Sequence, residues 1–313
     1  MIEITHLTKK YGNHVAVDDL SLTVEKGKIY GFLGPNGAGK STTMNMITGY
    51  LGATSGEIKI NGFDILKQPQ EAKKSIGYLP EMPPLYVEMT VKEYMRFVAE
   101  LKQIPKSERQ EAVEKAMEMT GITEMKERLI RNLSKGYKQR VGMAQAILGF
   151  PEIIILDEPT VGLDPKQMIE VRELIKKLGE DHTVILSSHI LSEISAVCDH
   201  IFIISKGKLV ASDTTENLTA KMQGGLELTL EIKGAEEDVR RVAENISGVH
   251  SMQIEMENEE ICKLILETEK DTDIREQVFY AFADAELPIF GMSTSGKSLE
   301  DIFLTLTGEG GQQ

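Results

Sequence analysis

A glycine-rich segment at residues 34–42 restricts the fold of this chain more than any other feature of the sequence. It reads Gly-Pro-Asn-Gly-Ala-Gly-Lys-Ser-Thr and fits the pattern G-x-x-x-x-G-K-[ST]. The apolar run 28–33 before it predicts a buried strand, and residues 41–48 after it predict a helix. An ordinary glycine-rich turn would not need the strand, the helix and the Lys-Ser pair together. The segment is therefore predicted to bind phosphate groups through residues Gly34, Asn36, Gly37, Gly39, Lys40, Ser41 and Thr42.

The chemistry of this segment follows from its backbone and from two side chains. Glycines let the backbone wrap a phosphate without Cβ clashes, and a helix N-terminus adds partial positive charge. Lys40 is expected to reach the β- and γ-phosphates of a nucleotide, and the Ser41 hydroxyl is expected to ligate Mg²⁺. The sequence thus favours a nucleoside triphosphate with a divalent cation.

A second apolar run, Ile153 to Leu156, ends in Asp157-Glu158. A continuous apolar run of this length is typical of a parallel strand that is buried on both faces. Ligands of open α/β sheets bind at the carboxyl ends of such strands, so both carboxylates are expected near the phosphates. The run 183–187 is predicted to be a similar strand and ends at Ser188-His189.

Composition limits the remaining possibilities. The chain has 313 residues, which suggests two domains, and a formal net charge of −14, which argues against broad, nonspecific nucleic-acid binding. Cys198 and Cys262 are too few for a disulfide framework, so a reducing cytoplasm is the expected compartment. No apolar run approaches the ~18 residues needed to span a bilayer, so membrane association is expected to go through a partner.

The order of predicted elements indicates an α/β fold with two domains. Residues 1–33 are predicted to form a β-rich part, and residues 85–150 a mainly helical part. The strands and helices that follow alternate, which predicts a mainly parallel sheet. One of these helices is predicted to continue through Cys198. Residues 221–313 change to strands and helices in the order β-α-β-β-α-β, followed by a helix from Ser298. That order predicts a small ferredoxin-like α+β domain, with the boundary after residue 220.

Five motifs in a fixed order carry a family resemblance. The segment Leu133-Ser134-Lys135-Gly136-Tyr137 lies upstream of Asp157-Glu158, and Leu163-Asp164 and His189 follow. With the phosphate-binding segment, this set resembles the ATPase subunits of ABC transporters over residues 1–220. Residues 298–306 look like the C-terminal ending of ATPases from bacterial efflux-type ABC systems. The resemblance implies a P-loop NTPase domain of the ABC ATPase type with a helical signature subdomain.

The resemblance also implies roles for the residues in these motifs. Asp157 would act on Mg²⁺ through its water shell, Glu158 would orient and deprotonate the attacking water, and His189 would bridge that water and the γ-phosphate. Ser134 and Gly136 match the signature loop, which faces the γ-phosphate held by the partner subunit. The cofactors would be ATP and Mg²⁺.

Two further residues have a functional and a structural interpretation. The resemblance implies that Asp164 shapes the contact between subunits, although an Asp-Pro turn explains it almost equally well. It also implies that Tyr11 stacks on adenine, although packing at a strand end is an even alternative.

The sequence departs from the family pattern at three positions. Tyr137 replaces the signature glutamine and Lys135 replaces the middle glycine, while Ser134 and Gly136 are kept. Glu81 stands where the family usually has a glutamine that touches Mg²⁺ and the transport partner. Glu81 is therefore a candidate metal ligand or a candidate relay to the membrane partner.

The expected function is an ATPase that dimerises around two ATP molecules and drives a separate membrane permease. The partner ATPase would be a second copy or a related subunit, the permease would contact the transported substrate, and export is the expected direction. Residues 85–130, rich in Met and Tyr, would dock on the permease from the inner face of the cell membrane, although Met and aromatic residues at helical spacing more often belong to a core.

Two alternatives belong to other classes. One is an ABC ATPase that acts on soluble machinery, and the single phosphate-binding segment and the lack of sustained heptads weigh against it. The other is a nucleotide-gated regulatory binder with little turnover, and the presence of Glu158 and His189 weighs against it.

Overall fold

The computed structural model describes residues 1–215, 217–218, 227–256, 260–268 and 272–295. The chain divides into two compact units, Met1–Thr215 and Glu216–Gln313. The predicted boundary after residue 220 and the predicted helix and efflux-type ending from Ser298 lie outside the described residues.

The first unit begins with a β-rich part and continues with helices and a second group of strands. Its elements in chain order are β1 (Ile2–Tyr11), β2 (His14–Val24), β3 (Ile29–Leu33), α1 (Lys40–Ile47), β4 (Ser55–Ile60), β5 (Phe63–Asp64), α2 (Pro69–Lys74), β6 (Ile76–Leu79), α3 (Val91–Leu101), α4 (Arg109–Met119), α5 (Lys135–Ile147), β7 (Ile153–Asp157), α6 (Pro165–Asp181), β8 (Thr183–Ser188), α7 (Leu191–Ser195), β9 (His200–Ser205) and β10 (Lys208–Thr214).

A six-stranded sheet with the order β10-β9-β3-β8-β7-β6 forms the centre of this unit. All of its neighbouring pairs are parallel except β9 with β10, which confirms the predicted mainly parallel sheet. Every residue of β3, β7 and β8 is buried, as their apolar runs predict. In the register of the sheet Leu33 pairs with Ser188, and Asp157 pairs with Ser187. The chain segments that follow these three strands therefore leave the sheet at the same edge.

An antiparallel sheet with the order β2-β1-β4-β5 confirms the predicted β-rich beginning. Its apolar side chains share one buried core with α1 and the parallel sheet, where Ile4, Met44 and Phe32 are members of the same cluster. Strand β4 starts at Ser55, which pairs with Thr8 of β1. The helix α1 therefore packs against side chains of both sheets.

The helical part begins with a capped helix, and several of its Met and Tyr side chains belong to the core. Thr90 caps α3 in a capping box with Glu93, whose backbone N–H donates to the Thr90 hydroxyl. The side chains of Tyr94, Met95 and Met117 are buried, so these members of the Met- and Tyr-rich stretch belong to the core. A helical repeat of large apolar residues marks the face of a helix that packs inward, so the core interpretation holds for these three residues.

The end of the first unit differs from the expected helix. The sequence predicts a helix through Cys198, but α7 ends at Ser195 and is followed by a turn to β9. The Cys198 thiol is buried there, and its backbone N–H still donates to the carbonyl of Ile194. Strands β6 and β10 lie at the two edges of the parallel sheet and were not predicted, because neither has the long apolar run of the central strands.

The second unit confirms the predicted ferredoxin-like order. Its elements are β11 (Glu227–Lys233), α8 (Glu236–Ala243), β12 (Val249–Met256), β13 (Ile261–Thr268), α9 (Arg275–Asp284) and β14 (Ile289–Ser295). The strands form an antiparallel sheet with the order β12-β13-β11-β14. The two helices cover one face through a core that includes Leu230, Val239 and Phe282.

In the residues that the structure describes, none of the helices of either unit has the length and apolar content needed to cross a membrane.

Candidate functional site

Most of the predicted site residues meet in one cavity at the carboxyl ends of the parallel strands. The cavity has a volume of about 550 Å³. The predicted residues that line it are Tyr11, Asn36, Gly37, Gly39, Lys40, Ser41, Thr42, Glu81, Glu158 and His189. Gly34 and Asp157 contact this group through hydrogen bonds to Lys40 and Ser41. The parallel register explains the grouping, because it aligns the ends of β3, β7 and β8.

The backbone at the start of α1 requires glycine. Gly39 precedes α1 with φ of +105°, a left-handed conformation that side chains with a Cβ rarely adopt. A Cβ at this position would also lie 2.5 Å from the carbonyl oxygen of Ala16. The first turn of α1 itself contains no acidic residue. This arrangement suits an anion.

Lys40 is buried at the centre of the cavity and is held by three oxygen atoms. Its Nζ donates to the carbonyl oxygens of Gly34 at 2.7 Å and Pro35 at 3.3 Å. The Glu158 carboxylate lies 3.4 Å from the same Nζ, and both side chains are at least nine-tenths buried. A buried charge without a partner is costly, and each of these two side chains supplies the other with a counter-charge.

Glu158 has an unusual backbone conformation that directs its carboxylate into the cavity. Its φ is +47°, and its backbone N–H donates to the Ser187 hydroxyl at 2.9 Å. A non-glycine residue in this region costs on the order of 1 kcal/mol, so the neighbouring strand must hold it in place. The carboxylate Oε2 lies 3.0 Å from His189 Nδ1. The carboxylate, the imidazole and the Lys40 ammonium therefore form one contiguous polar group.

Asp157 forms a second polar group with two hydroxyls. Its Oδ1 accepts hydrogen bonds from Ser187 at 2.5 Å and from Ser41 at 3.2 Å. Burial raises the pKa of the Asp157 carboxyl above its usual range, and the hydroxyl hydrogen bonds partly offset this effect. Carboxylate and hydroxyl oxygens are the ligands that Mg²⁺ prefers. Among the described residues, no three His, Cys, Asp or Glu side chains cluster as a metal site, so a cation here would need phosphate oxygens and water as well.

Ser134, Gly136 and Asp164 lie apart from this cavity and line a second one of about 600 Å³. Ser134 caps α5 by accepting the Tyr137 N–H at 3.3 Å, and Asp164 caps α6 by accepting the Gln167 N–H at 2.9 Å. A Cβ at Gly136 would lie 2.5 Å from the side-chain oxygen of Gln167, so a larger residue would require the Gln167 side chain to move. The structure thus groups the signature residues with Asp164 and separates them from Lys40 within one chain.

The positions of Tyr11 and Glu81 bear on their two interpretations. Tyr11 lies at the end of β1 with its ring 49% exposed at the rim of the first cavity, and Lys9 Nζ lies 5.3 Å from the ring centroid. This half-exposed position is compatible with both interpretations of Tyr11. Glu81 is exposed and begins the loop after β6 that carries the exposed side chains of Met82 and Tyr86.

Three polar residues, Ser187, Thr160 and Glu193, hold the site together through hydrogen bonds and were not predicted as site residues. Ser187 bridges Asp157 and Glu158, and Glu193 accepts hydrogen bonds from Thr160 and from the residue before His189. A signal existed for Ser187, because it is a polar residue at the end of an apolar strand next to the strand of Asp157. Nothing in the sequence pattern marks Glu193, since a single carboxylate in a short helix is normally exposed.

Comparison with known proteins places the chain. A family model described as ABC transporter matches residues 17–161. The bacitracin transport ATP-binding protein BcrA of Bacillus licheniformis is 35% identical over 99% of this chain and 98% of its own length. The linearmycin resistance ATP-binding protein LnrL of Bacillus subtilis is 30% identical over 98% of both chains. A solved dimeric ATP-binding cassette, in a post-hydrolysis state bound to ADP and Pi, is 25% identical with a TM-score of 0.62 over 68% of this chain and 98% of that one.

The sequence identity over nearly the whole length, the fold and the grouping of the motif residues all point to the same family. The chain belongs to the ABC transporter family, as an ATP-binding and ATP-hydrolysing subunit.

Proposed function

We propose that two ATPase subunits close face to face around two ATP molecules, with this chain as one or both of them. The observation that carries this proposal is the separation of two half-sites on one chain: Lys40 lines one cavity, and Ser134 lines the other. Ser134 and Gly136 at the N-terminus of α5 would meet the γ-phosphate bound by the partner subunit. Asp164 lines the second cavity and would contribute to the contact between subunits. The dimeric state of the similar cassette supports this arrangement.

In the proposed reaction, water attacks the γ-phosphorus while the bond to the β-phosphate oxygen breaks and ADP leaves. Lys40 exchanges its contacts with Gly34 and Glu158 for phosphate oxygens. The released Glu158 carboxylate orients the water and accepts its proton. His189 lies beside Glu158 and holds the γ-phosphate and the water in line. The two side chains of the buried ion pair, Lys40 and Glu158, are therefore the groups that act on the phosphate and on the water.

We propose that Mg²⁺ accompanies ATP and that Ser41 and Asp157 hold it, Asp157 through water, with Glu81 at the edge of the site. When bound, the ion neutralises charge on the β- and γ-phosphates. The distance of 3.2 Å from Ser41 Oγ to Asp157 Oδ1 and the oxygen character of both groups support this assignment. Ser187 keeps the Asp157 carboxylate oriented.

The remaining predicted residues bind the nucleotide. Backbone N–H groups of the glycine-rich segment, with the Asn36 and Thr42 side chains beside them, surround the phosphates. The exposed ring face of Tyr11 stacks on adenine. We assign this chemistry to the unit Met1–Thr215 and an accessory role, such as support of dimerisation, to the second unit.

We propose that the subunit acts on the cytoplasmic face of the cell membrane through a separate permease, which contacts the transported substrate. The loop after β6 supplies a docking surface, because Met82, Tyr86 and Val87 are large apolar side chains exposed to solvent. The names of two relatives, one in bacitracin transport and one in linearmycin resistance, support export as the direction.

Coupling to a permease is tested with a multi-spanning membrane protein that co-purifies with this chain in detergent. We expect the membrane protein to raise ATP hydrolysis by the wild type, and Tyr86→Ser to remove most of that stimulation while basal hydrolysis stays unchanged. Val210→Ser is the matched control, since Val210 is also an exposed apolar residue but lies on β10 at the opposite edge of the sheet. Equal stimulation of Tyr86→Ser and the wild type would contradict the docking surface.

Glu81→Gln restores the usual amide and removes one negative charge from the cavity. If the carboxylate lies near Mg²⁺, it attracts the ion and repels the γ-phosphate, and both effects are larger at a site of low dielectric. We therefore expect half-maximal hydrolysis of Glu81→Gln to require a higher Mg²⁺ concentration, with a modest change in ATP affinity. A Mg²⁺ titration of hydrolysis, with and without the membrane protein, measures this. Unchanged curves in both conditions would remove Glu81 from the site.

A further inference from the structure

The site contains a buried carboxylate for which the reaction has no use. Glu193 lies on α7, and only 5% of it is exposed. Its Oε2 accepts a hydrogen bond from the Thr160 hydroxyl at 2.7 Å and a second from the Ser188 hydroxyl at 2.9 Å. Both hydroxyl-bearing residues are also buried. A carboxylate removed from water loses solvation energy, and the hydrogen bonds from the two hydroxyls offset part of that cost.

The two hydroxyls belong to the two chain segments that carry the polar groups of the cavity. Thr160 lies two residues after Glu158, in the turn that leads to Asp164. Ser188 is the last residue of β8 and directly precedes His189. Its hydroxyl also accepts the backbone N–H of Ile190 at 3.0 Å, so the residues on both sides of His189 are fixed by one side chain.

We propose that Glu193 is a positioning residue for ATP hydrolysis, which holds the segment after Glu158 and the segment around His189 at a fixed separation. One carboxylate oxygen clamps both segments, and His189 Nδ1 then lies 3.0 Å from Glu158 Oε2. The clamp touches neither the glycine-rich segment nor Lys40. It therefore acts on turnover through His189 and leaves nucleotide binding alone. This inference rests on the roles proposed above for Glu158 and His189.

The clamp predicts a separation of kcat from KM. Thr160→Val keeps the shape of the side chain but removes the donor, so one segment is released while the core stays filled. We expect kcat to fall about tenfold, because small errors in the placement of reacting groups are costly. KM for ATP and the ATP affinity of the variant should stay within about twofold, since uniform binding is unaffected. Thr160→Ser restores a hydroxyl at the same place and should recover most of the lost turnover.

A cycle with His189→Ala distinguishes positioning from general damage. If the clamp acts through His189, adding Thr160→Val to His189→Ala should lower turnover by less than about twofold more. A purely structural defect would act independently and lower it about tenfold again. Ser188→Ala releases the other segment and should behave like Thr160→Val, and it serves if the latter fails to fold.

Thr183→Val is the matched control. Thr183 is a buried threonine at the opposite end of β8, where its hydroxyl accepts the Gly27 N–H at 2.9 Å. This control should lower thermal stability without changing kcat by more than about twofold. Wild-type kcat in folded Thr160→Val, or additive losses in the His189→Ala background, would overturn the clamp. Wild-type turnover in His189→Ala alone would instead overturn the proposed role of His189, so the two failures are distinguishable.

Discussion

Glu158→Gln is expected to bind ATP and to hydrolyse it about 10²–10⁴-fold more slowly than the wild type. The amide keeps the length of the side chain but cannot accept a proton from the attacking water, and the loss of a positioned general base typically has this magnitude. Phosphate release from the purified variant measures turnover, and calorimetric titration with ATP measures binding. The ATP-free variant should also unfold at a lower temperature, because Lys40 loses its buried carboxylate partner at 3.4 Å.

The control for this variant lies at the other end of β7. Glu152 directly precedes β7 and pairs with Lys26 at 2.7 Å, and both side chains are more than half exposed. Glu152→Gln removes the same charge from an exposed ion pair, which contributes little to stability, so its turnover should stay within about twofold of the wild type. Wild-type hydrolysis by Glu158→Gln would contradict the assignment of the general base.

Lys40→Met is expected to weaken ATP binding by about 100-fold, because it removes the cation that compensates the phosphates in a site with little water. The variant also leaves Glu158 without its counter-charge, and the free carboxylate then repels the triphosphate. Calorimetric titration with ATP and with ADP tests both effects. The loss should be larger for ATP, since the γ-phosphate lies closest to the carboxylate in the proposed complex.

Lys26→Met is the corresponding control, since Lys26 is the other half of the exposed pair. It removes a surface ammonium and should leave both nucleotide affinities within about twofold of the wild type. Unchanged ATP affinity in folded Lys40→Met would show that the nucleotide phosphates bind elsewhere.

The centre of the site could be predicted because each part rests on a strong local pattern. The glycine-rich segment, the apolar run before Asp157 and the apolar run before His189 each define a buried strand with a polar end. Parallel pairing then brings the three ends together without any further information. The pairing of Asp157 with Ser187 shows that the ends of β7 and β8 are aligned.

Glu193 and Thr160 were not predictable as supporting residues because they are distant from each other in the sequence. Glu193 contacts Thr160 across 33 residues, and only the fold brings them together. The buried Tyr94 and Met95 support the core interpretation of the Met- and Tyr-rich stretch, and only the packing of neighbouring helices distinguishes it from a surface for a partner. The end of α7 before Cys198 was missed because short helices depend on tertiary packing more than on propensity.

The signature residues illustrate a limit that lies outside the single chain. Ser134 and Asp164 are ordinary N-caps in this structure, and their local geometry explains both residues fully. Their proposed function appears only when a second subunit brings the phosphates opposite them. The account therefore depends on whether two chains close on ATP.

The most direct test is the mass of Glu158→Gln in solution with saturating ATP and Mg²⁺, measured by light scattering at micromolar protein. Slow hydrolysis keeps ATP in place, so the account predicts a species of twice the 34.8 kDa chain mass. The same variant without nucleotide should be a monomer, and adding Ser134→Arg should prevent the dimer, because the larger cation blocks the loop that meets the partner's phosphate. A mass of 34.8 kDa with ATP demonstrably bound would contradict the account.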